Sequence, residues 1–195
     1  MANKDAAFGL KPIGKIGQNR DNQGLSEYNI AASSDAIYQN DPVQLLATGY
    51  IGVQNTTSGA ILGSLNGVFY TDASTSKPTW ANHLEGSNTA TDIVGFVSDD
   101  PYERFEAQSS TTLAIADIGL NAPMATYAAG SSANYVSKQE VNTGAMDTTN
   151  TLPIRVISVA KDIENSELAN VTTYAANVNV VCKINTHFMT NTTGI

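Results

Sequence analysis

Apolar and polar residues alternate with a period of two along much of this chain. In residues 178–188, Val178, Val180, Cys182, Ile184 and Phe188 fall on one face, and Asn179, Lys183, Asn185 and His187 on the other. That is the pattern of a half-buried β-strand. Shorter runs predict further strands at 36–38, 43–46, 50–53, 68–70, 92–98, 102–108, 111–118 and 152–160. Turn clusters separate them, among them Asn40-Asp41-Pro42 and Asp99-Asp100-Pro101. Residues 92–98 and 102–108, flanking the second cluster, read as a hairpin. Segments 55–63, 72–88 and 130–150 read as loops, and the second of these carries Trp80. Residues 120–129 are ambiguous, because Pro123 interrupts an Ala- and Met-containing run that tolerates helix. Residues 162–168 could form one helical turn.

No segment sustains a 3.6-residue period, and strand signals recur at intervals of roughly ten residues. The expectation is an all-β protein: a single β-barrel or β-sandwich domain with at most one or two short helices. Residues 1–34 are Gly-, Asn-, Gln- and Ala-rich and weakly periodic, with Phe8, Leu10, Ile13 and Ile16 as apolar anchors. They read as an extended N-terminal arm, and 35–195 as the β-rich body. An arm that cannot bury its own apolar groups buries them on a neighbour.

Composition sharpens this picture. The chain of 195 residues holds 21 Thr, 19 Asn and 16 Ser, while charged residues make up only 14%. Thr favours strands, and Asn and Ser favour turns. The net charge of −8 is uneven: Lys4, Lys11, Lys15 and Arg20 face only Asp5 within the first twenty residues, so the remainder is strongly acidic. A basic leader on an acidic body points to docking on an acidic surface. Nucleic acid is not an expected partner, because the acidic body repels phosphate. No apolar run approaches membrane-spanning length, and no apolar signal stretch occupies residues 1–30, so the expectation is synthesis in the cytoplasm without a membrane partner. The single cysteine, Cys182, admits no disulfide within the chain.

The candidates for catalysis are few. Cys182 and His187 differ by five positions and so point to opposite faces of a continuous strand; Cys182 reads as a small core residue and His187 as an exposed or hydrogen-bonded strand residue. Asp99 and Asp100 read as a turn rather than a converging carboxylate pair. No phosphate-binding glycine loop and no metal-ligand spacing occurs, so no cofactor and no metal are expected. Trp80, the only tryptophan, reads as cover for one edge of the body, or as a stacking platform for a sugar with Tyr70 or Tyr102.

Three groups of segments resemble a known family. The start 2–12 (Ala2-Asn3-Lys4-Asp5-Ala6-Ala7-Phe8-Gly9-Leu10-Lys11-Pro12) resembles the opening of small virion proteins of tailed bacteriophages, marine ones especially. So do Val94-Gly95-Phe96-Val97 with Asp99-Asp100-Pro101-Tyr102 and Phe105-Glu106-Ala107-Gln108. The third group is Leu152-Pro153-Ile154-Arg155-Val156, then Cys182-Lys183-Ile184-Asn185-Thr186-His187-Phe188 and the terminal Thr193-Gly194-Ile195. The family is that of the capsid decoration, or cement, proteins. The resemblance implies a non-enzymatic virion structural protein on the outer capsid surface, bound to the major capsid protein as a homotrimer. On that expectation the arm is the adhesive part: Phe8, Leu10, Pro12 and Ile13 fill apolar grooves of capsid subunits, and Lys4, Lys11, Lys15 and Arg20 meet their carboxylates. The alternative is a head-fibre or tail-appendage adhesin that stacks host glycans on Trp80. A major capsid protein would need a long spine helix, and a glycoside hydrolase would need Asp99 and Asp100 to cooperate.

Overall fold

A computed structural model of the protein describes residues 3–16 and 24–190. Its strands, numbered in chain order, form three sheets whose strand pairs are all antiparallel. The five-stranded sheet runs in the order β1 (Lys11–Lys15), β8 (Glu103–Gln108), β14 (Asn179–Ile184), β11 (Ile154–Val159), β10 (Asn121–Ala122). The six-stranded sheet runs β2 (Ser26–Asn29), β7 (Val94–Ser98), β5 (Gly63–Thr71), β3 (Pro42–Leu45), β4 (Ile51–Val53), and β6 (Pro78–Ala81) pairs with the far half of β5. A small third sheet joins β12 (Leu168–Asn170), β13 (Thr173–Tyr174) and β9 (Leu113–Ala114). The protein is therefore all-β and sandwich-like. The sheets stay open, so the barrel alternative is not the one adopted.

Among the described residues the only helical pieces are three single-turn 3-10 segments, Ile115–Asp117, Thr143–Ala145 and Phe188–Thr190. The helical turn expected at 162–168 does not form. There the Asp162 carboxylate accepts the Glu164 N–H at 3.0 Å, and this local bond replaces the helical one.

Each large sheet covers its own apolar cluster. Phe105 and Ala107 of β8, Val180, Cys182 and Ile184 of β14, and Ile154 and Val156 of β11 form one face of the five-stranded sheet, closed over by Leu113, Met124 and Val141. Val43, Ile51, Leu65, Val68 and Val97 of the six-stranded sheet pack with Ile30, Ile37, Leu84 and Ile93. The chain passes between the clusters within single residues: Ile61 belongs to the first and Leu62 to the second.

The expected hairpin 92–98/102–108 is resolved differently. Both strands exist, but β7 joins the six-stranded sheet and β8 the five-stranded one. The Asp99-Asp100-Pro101 corner is a sheet-to-sheet crossing. Period-two alternation reports which face of a strand is buried, not which strand lies beside it.

The first residues are also placed differently from expectation. Residues 3–16 lie along the body, and β1 is an edge strand paired with β8; β2, also assigned to the arm, pairs with β7. Leu10 is completely buried in the first cluster. Gly9 permits this close approach. Its φ is +76°, and a Cβ there would lie 2.2 Å from the Asn40 carbonyl oxygen and 2.6 Å from the Ser137 Cβ.

Candidate functional site

Two surfaces carry the residues singled out in the sequence: the segment 3–16 and the outward face of β5, β6 and β7.

Side-chain amides stitch the segment to the body. Asn3, almost fully buried, donates through Nδ2 to the carbonyls of Ala175 and Ala176 at 3.3 and 3.0 Å, and its Oδ1 accepts the Glu167 N–H at 3.1 Å. Asn165 takes the Lys4 N–H at 2.9 Å and returns a bond to the Lys4 carbonyl at 3.0 Å. Gln108, wholly buried, also donates to that carbonyl at 2.9 Å and accepts the Ala6 N–H at 2.9 Å. Further along, Leu10 N–H donates to the Asn40 carbonyl at 2.8 Å, and the Ser64 hydroxyl donates to the Leu10 carbonyl at 2.6 Å. The Asn-rich composition thus has a structural use. Each amide both donates and accepts, so one side chain can satisfy two backbone groups of an irregular segment.

These contacts decide what each expected arm residue can offer a partner. Leu10 is spent in the core, which corrects its assignment to a partner's groove. Phe8 is half-buried in a surface groove with Ser131, Asn134 and Val136. Pro12 is half-buried opposite Phe105. Lys15 pairs with Asp100 at 2.6 Å, and Lys11 with Glu106 at 3.6 Å with most of its side chain still in water. Lys4 is exposed, and Ile13 on the edge strand and Ile16 in the turn just after it are 40% and 42% exposed. Arg20 lies outside the described residues.

The outward face of the six-stranded sheet is unusual. Leu65, Val68, Tyr70 and Val97 point into the second cluster, so Gly67, Phe69, Val94 and Phe96 point out. Trp80 sits opposite Phe69 on β6 and is 58% exposed; Phe69 is 40% exposed. The indole leans over Gly67 onto Phe96, with ring centroids 4.6 Å apart and planes tilted by 48°. A Cβ on Gly67 would meet Trp80 Cζ2 at 3.2 Å, so the glycine opens the space that the indole crosses. On the next strand Glu27 stands opposite Phe96, and Asn29 opposite Val94, both exposed. Trp80 therefore lies on a strand, not in a loop. Its aromatic neighbours are Phe69 and Phe96, not the expected Tyr70, which packs on the core side. Pro78 is the first residue of this edge strand, where a missing N–H is tolerated.

The catalytic candidates are engaged elsewhere. Cys182 is fully buried, and burial pushes its thiol up to about 12. His187 is also buried, so of the two readings, exposed or hydrogen-bonded, the second holds, although off the strand: the strand ends at Ile184, and His187 Nδ1 accepts the Met189 N–H at 3.0 Å. Its burial holds the imidazole below its ordinary value. Asp99 accepts from the Ser26 and Tyr28 hydroxyls at 2.9 and 2.6 Å, and burial followed by that carboxylate holds the Tyr28 phenol well above its usual range. Asp100 takes Lys15 and the Tyr102 N–H, and the Lys15 bond draws its carboxyl below the usual value. The two aspartates face separate partners rather than one substrate site. His83 is stacked on Tyr135, with centroids 3.8 Å apart, and burial lowers its basicity. Among the described residues no cluster of three metal-ligating side chains occurs, and no helix is long and apolar enough to cross a membrane.

Compared with protein-family models, with curated proteins and with solved structures, the chain matches none.

Proposed function

We propose that this chain is a non-enzymatic structural protein of a tailed-phage virion. On this reading it decorates the outer capsid surface as a homotrimer bound to the major capsid protein. The observation that carries the reading is the segregation of charge and apolar surface along the first residues. Lys4, Lys11, Ile13 and Ile16 stand outward on a segment fixed to an otherwise acidic body. The resemblance of the segments at 2–12, 94–97, 99–102, 105–108, 152–156, 182–188 and 193–195 to the decoration proteins supports the same reading. The adhesive element becomes a rigid edge strand in place of a loose leader. An edge strand offers unpaired backbone groups for sheet addition, and its exposed side chains select the partner. Weak contacts from several subunits then add through avidity.

The test is to mix purified protein with immature and with expanded heads and to count bound copies. Saturable binding at a fixed copy number is expected, with at least tenfold weaker binding by an Ile13→Asp, Ile16→Asp double variant that remains folded. No retention on either form of head would overturn the reading; unimpaired binding by the double variant would remove the edge strand from it. Deleting residues 1–20 is not a clean alternative, because it also removes Leu10 from the core.

A further inference from the structure

We propose that the outward face of β5, β6 and β7 is a saccharide-binding platform centred on Trp80. An antiparallel sheet with one face on the core ordinarily turns polar side chains to water on the other. Here the face carries Trp80, Phe69, Phe96 and Val94 in register across three strands. The rings are held on paired backbone, and the indole is seated by Gly67 and braced by Phe96.

The size of the patch selects the occupant. A fully buried aromatic covers at most about 250 Å². At the exposures of Trp80 and Phe69, 58% and 40%, the two rings offer roughly 200–250 Å². A stable protein interface needs about 800 Å² per partner. The two rings alone thus fall well short of a stable protein interface, and are of a size for one or two pyranose rings. Its border has matching chemistry. Glu27 and Asn29 on β2 place one carboxylate and one amide beside the rings, and Asp92 lies at the other end, where it accepts the Thr71 N–H at 3.1 Å. The C–H face of a sugar stacks on aromatic carbon while its hydroxyls reach such acceptors and donors. No basic side chain borders the rings on β2, β5, β6 or β7 except Lys77, just before β6. A neutral sugar therefore fits better than an anionic one. This proposal is independent of the capsid reading.

Because Trp80 is the only tryptophan, its emission reports on the platform directly. Purified protein should be titrated with cellohexaose, chitohexaose and soluble mannan, and run in parallel on affinity gels containing the corresponding polymers. At least one probe is expected to shift the emission to the blue with saturation and to retard the protein. Trp80→Ala, with unchanged far-ultraviolet circular dichroism, should bind at least tenfold more weakly, and Phe69→Ser several-fold more weakly. Trp80→Ala should bind heads as the wild type does. The proposal fails if no probe moves the emission or the mobility, or if Trp80→Ala binds sugar unimpaired. It also fails if Trp80→Ala alone abolishes head binding, or if the emission shifts with protein concentration as the sedimenting mass rises, since the face would then belong to a protein contact.

Discussion

Asp41 gives the sharpest energetic test of the fold. It is completely buried at the turn between Tyr38 and β3, beside the point where Leu10 bonds to Asn40. One carboxylate oxygen accepts the Tyr38 N–H at 2.8 Å; the other, Oδ1, has no partner that meets hydrogen-bond geometry, although the Ser137 hydroxyl lies near enough to stabilise the charge partly. Burial dominates and raises the carboxyl from 3.8 to about 6. Each pH unit between the folded and unfolded values corresponds to about 1.4 kcal/mol, so ionised Asp41 costs the folded state about 3 kcal/mol. The sign follows from the raised value: the folded state holds the proton more tightly than the unfolded one. The cost is absent below pH 4, grows as pH rises through 4 to 6, and is complete above that. Asp41→Asn keeps a carbonyl oxygen for Tyr38 and removes the charge. Its stability relative to wild type should therefore improve by about 3 kcal/mol between pH 3.5 and pH 7. Urea unfolding of both proteins at half-unit pH steps measures this, and titrations common to both cancel in the difference. A difference that stays constant within about 0.5 kcal/mol across that range would refute the assignment of a buried, destabilising carboxylate.

Other consequences are simpler to state. Leu10→Ala should destabilise the protein by about 2–5 kcal/mol in urea unfolding, because the side chain is fully buried in the first cluster; a loss below about 1 kcal/mol would mean that residues 3–16 are not part of the fold. Gly67→Val should cost about 1–3 kcal/mol and shift Trp80 emission to the red, because the new Cβ would sit 2.9 Å from the Ala81 carbonyl and would press on the indole; unchanged emission would deny that Trp80 crosses this glycine. Cys182 should react with a thiol reagent at pH 8 roughly a hundredfold or more slowly in the native than in the urea-unfolded protein, since burial suppresses both access and thiolate. Equal rates would contradict its core position.

The strands with one buried face were legible. Val180, Cys182 and Ile184 alternate with Val181 and Lys183, and the first cluster takes them together with Val178; Phe188, predicted on the same face, lies past the end of the strand in a 3-10 turn and packs against the second cluster. What the pattern could not supply was pairing. The alternation in 92–98 and 102–108 is real, yet the two strands serve different sheets, because face and neighbour are independent properties of a strand. Segment 3–16 was misplaced for another reason. Its bonds run to Gln108, Asn165 and carbonyls near Ala175, more than a hundred positions away, and hydropathy contains no signal for a polar contact of that range. Trp80 shows the same limit on a smaller scale. Thr79 and Trp80 have strand propensity, but Pro78 and the surrounding Asp, Ser, Asn and Gly outvote it locally; only the long edge of β5 makes the segment a strand.

The fixed position of residues 3–16 changes the energetics expected of adhesion on the proposed reading. A loose leader of that length would lose about 1–2 kcal/mol of backbone freedom per residue on docking, which the contacts to the partner would have to exceed. Here the ordering occurs on folding and is offset by the amide bonds of Asn3, Gln108 and Asn165 and by the burial of Leu10. Ile13 and Ile16 then meet a partner from backbone already in place, and only side-chain freedom remains to be lost. The corollary concerns substitutions that never touch the partner. Asn165→Ala or Gln108→Ala would loosen the segment while leaving its outward side chains intact, so each should weaken head binding in proportion to the order lost. A leader that folds only on contact would be indifferent to both changes.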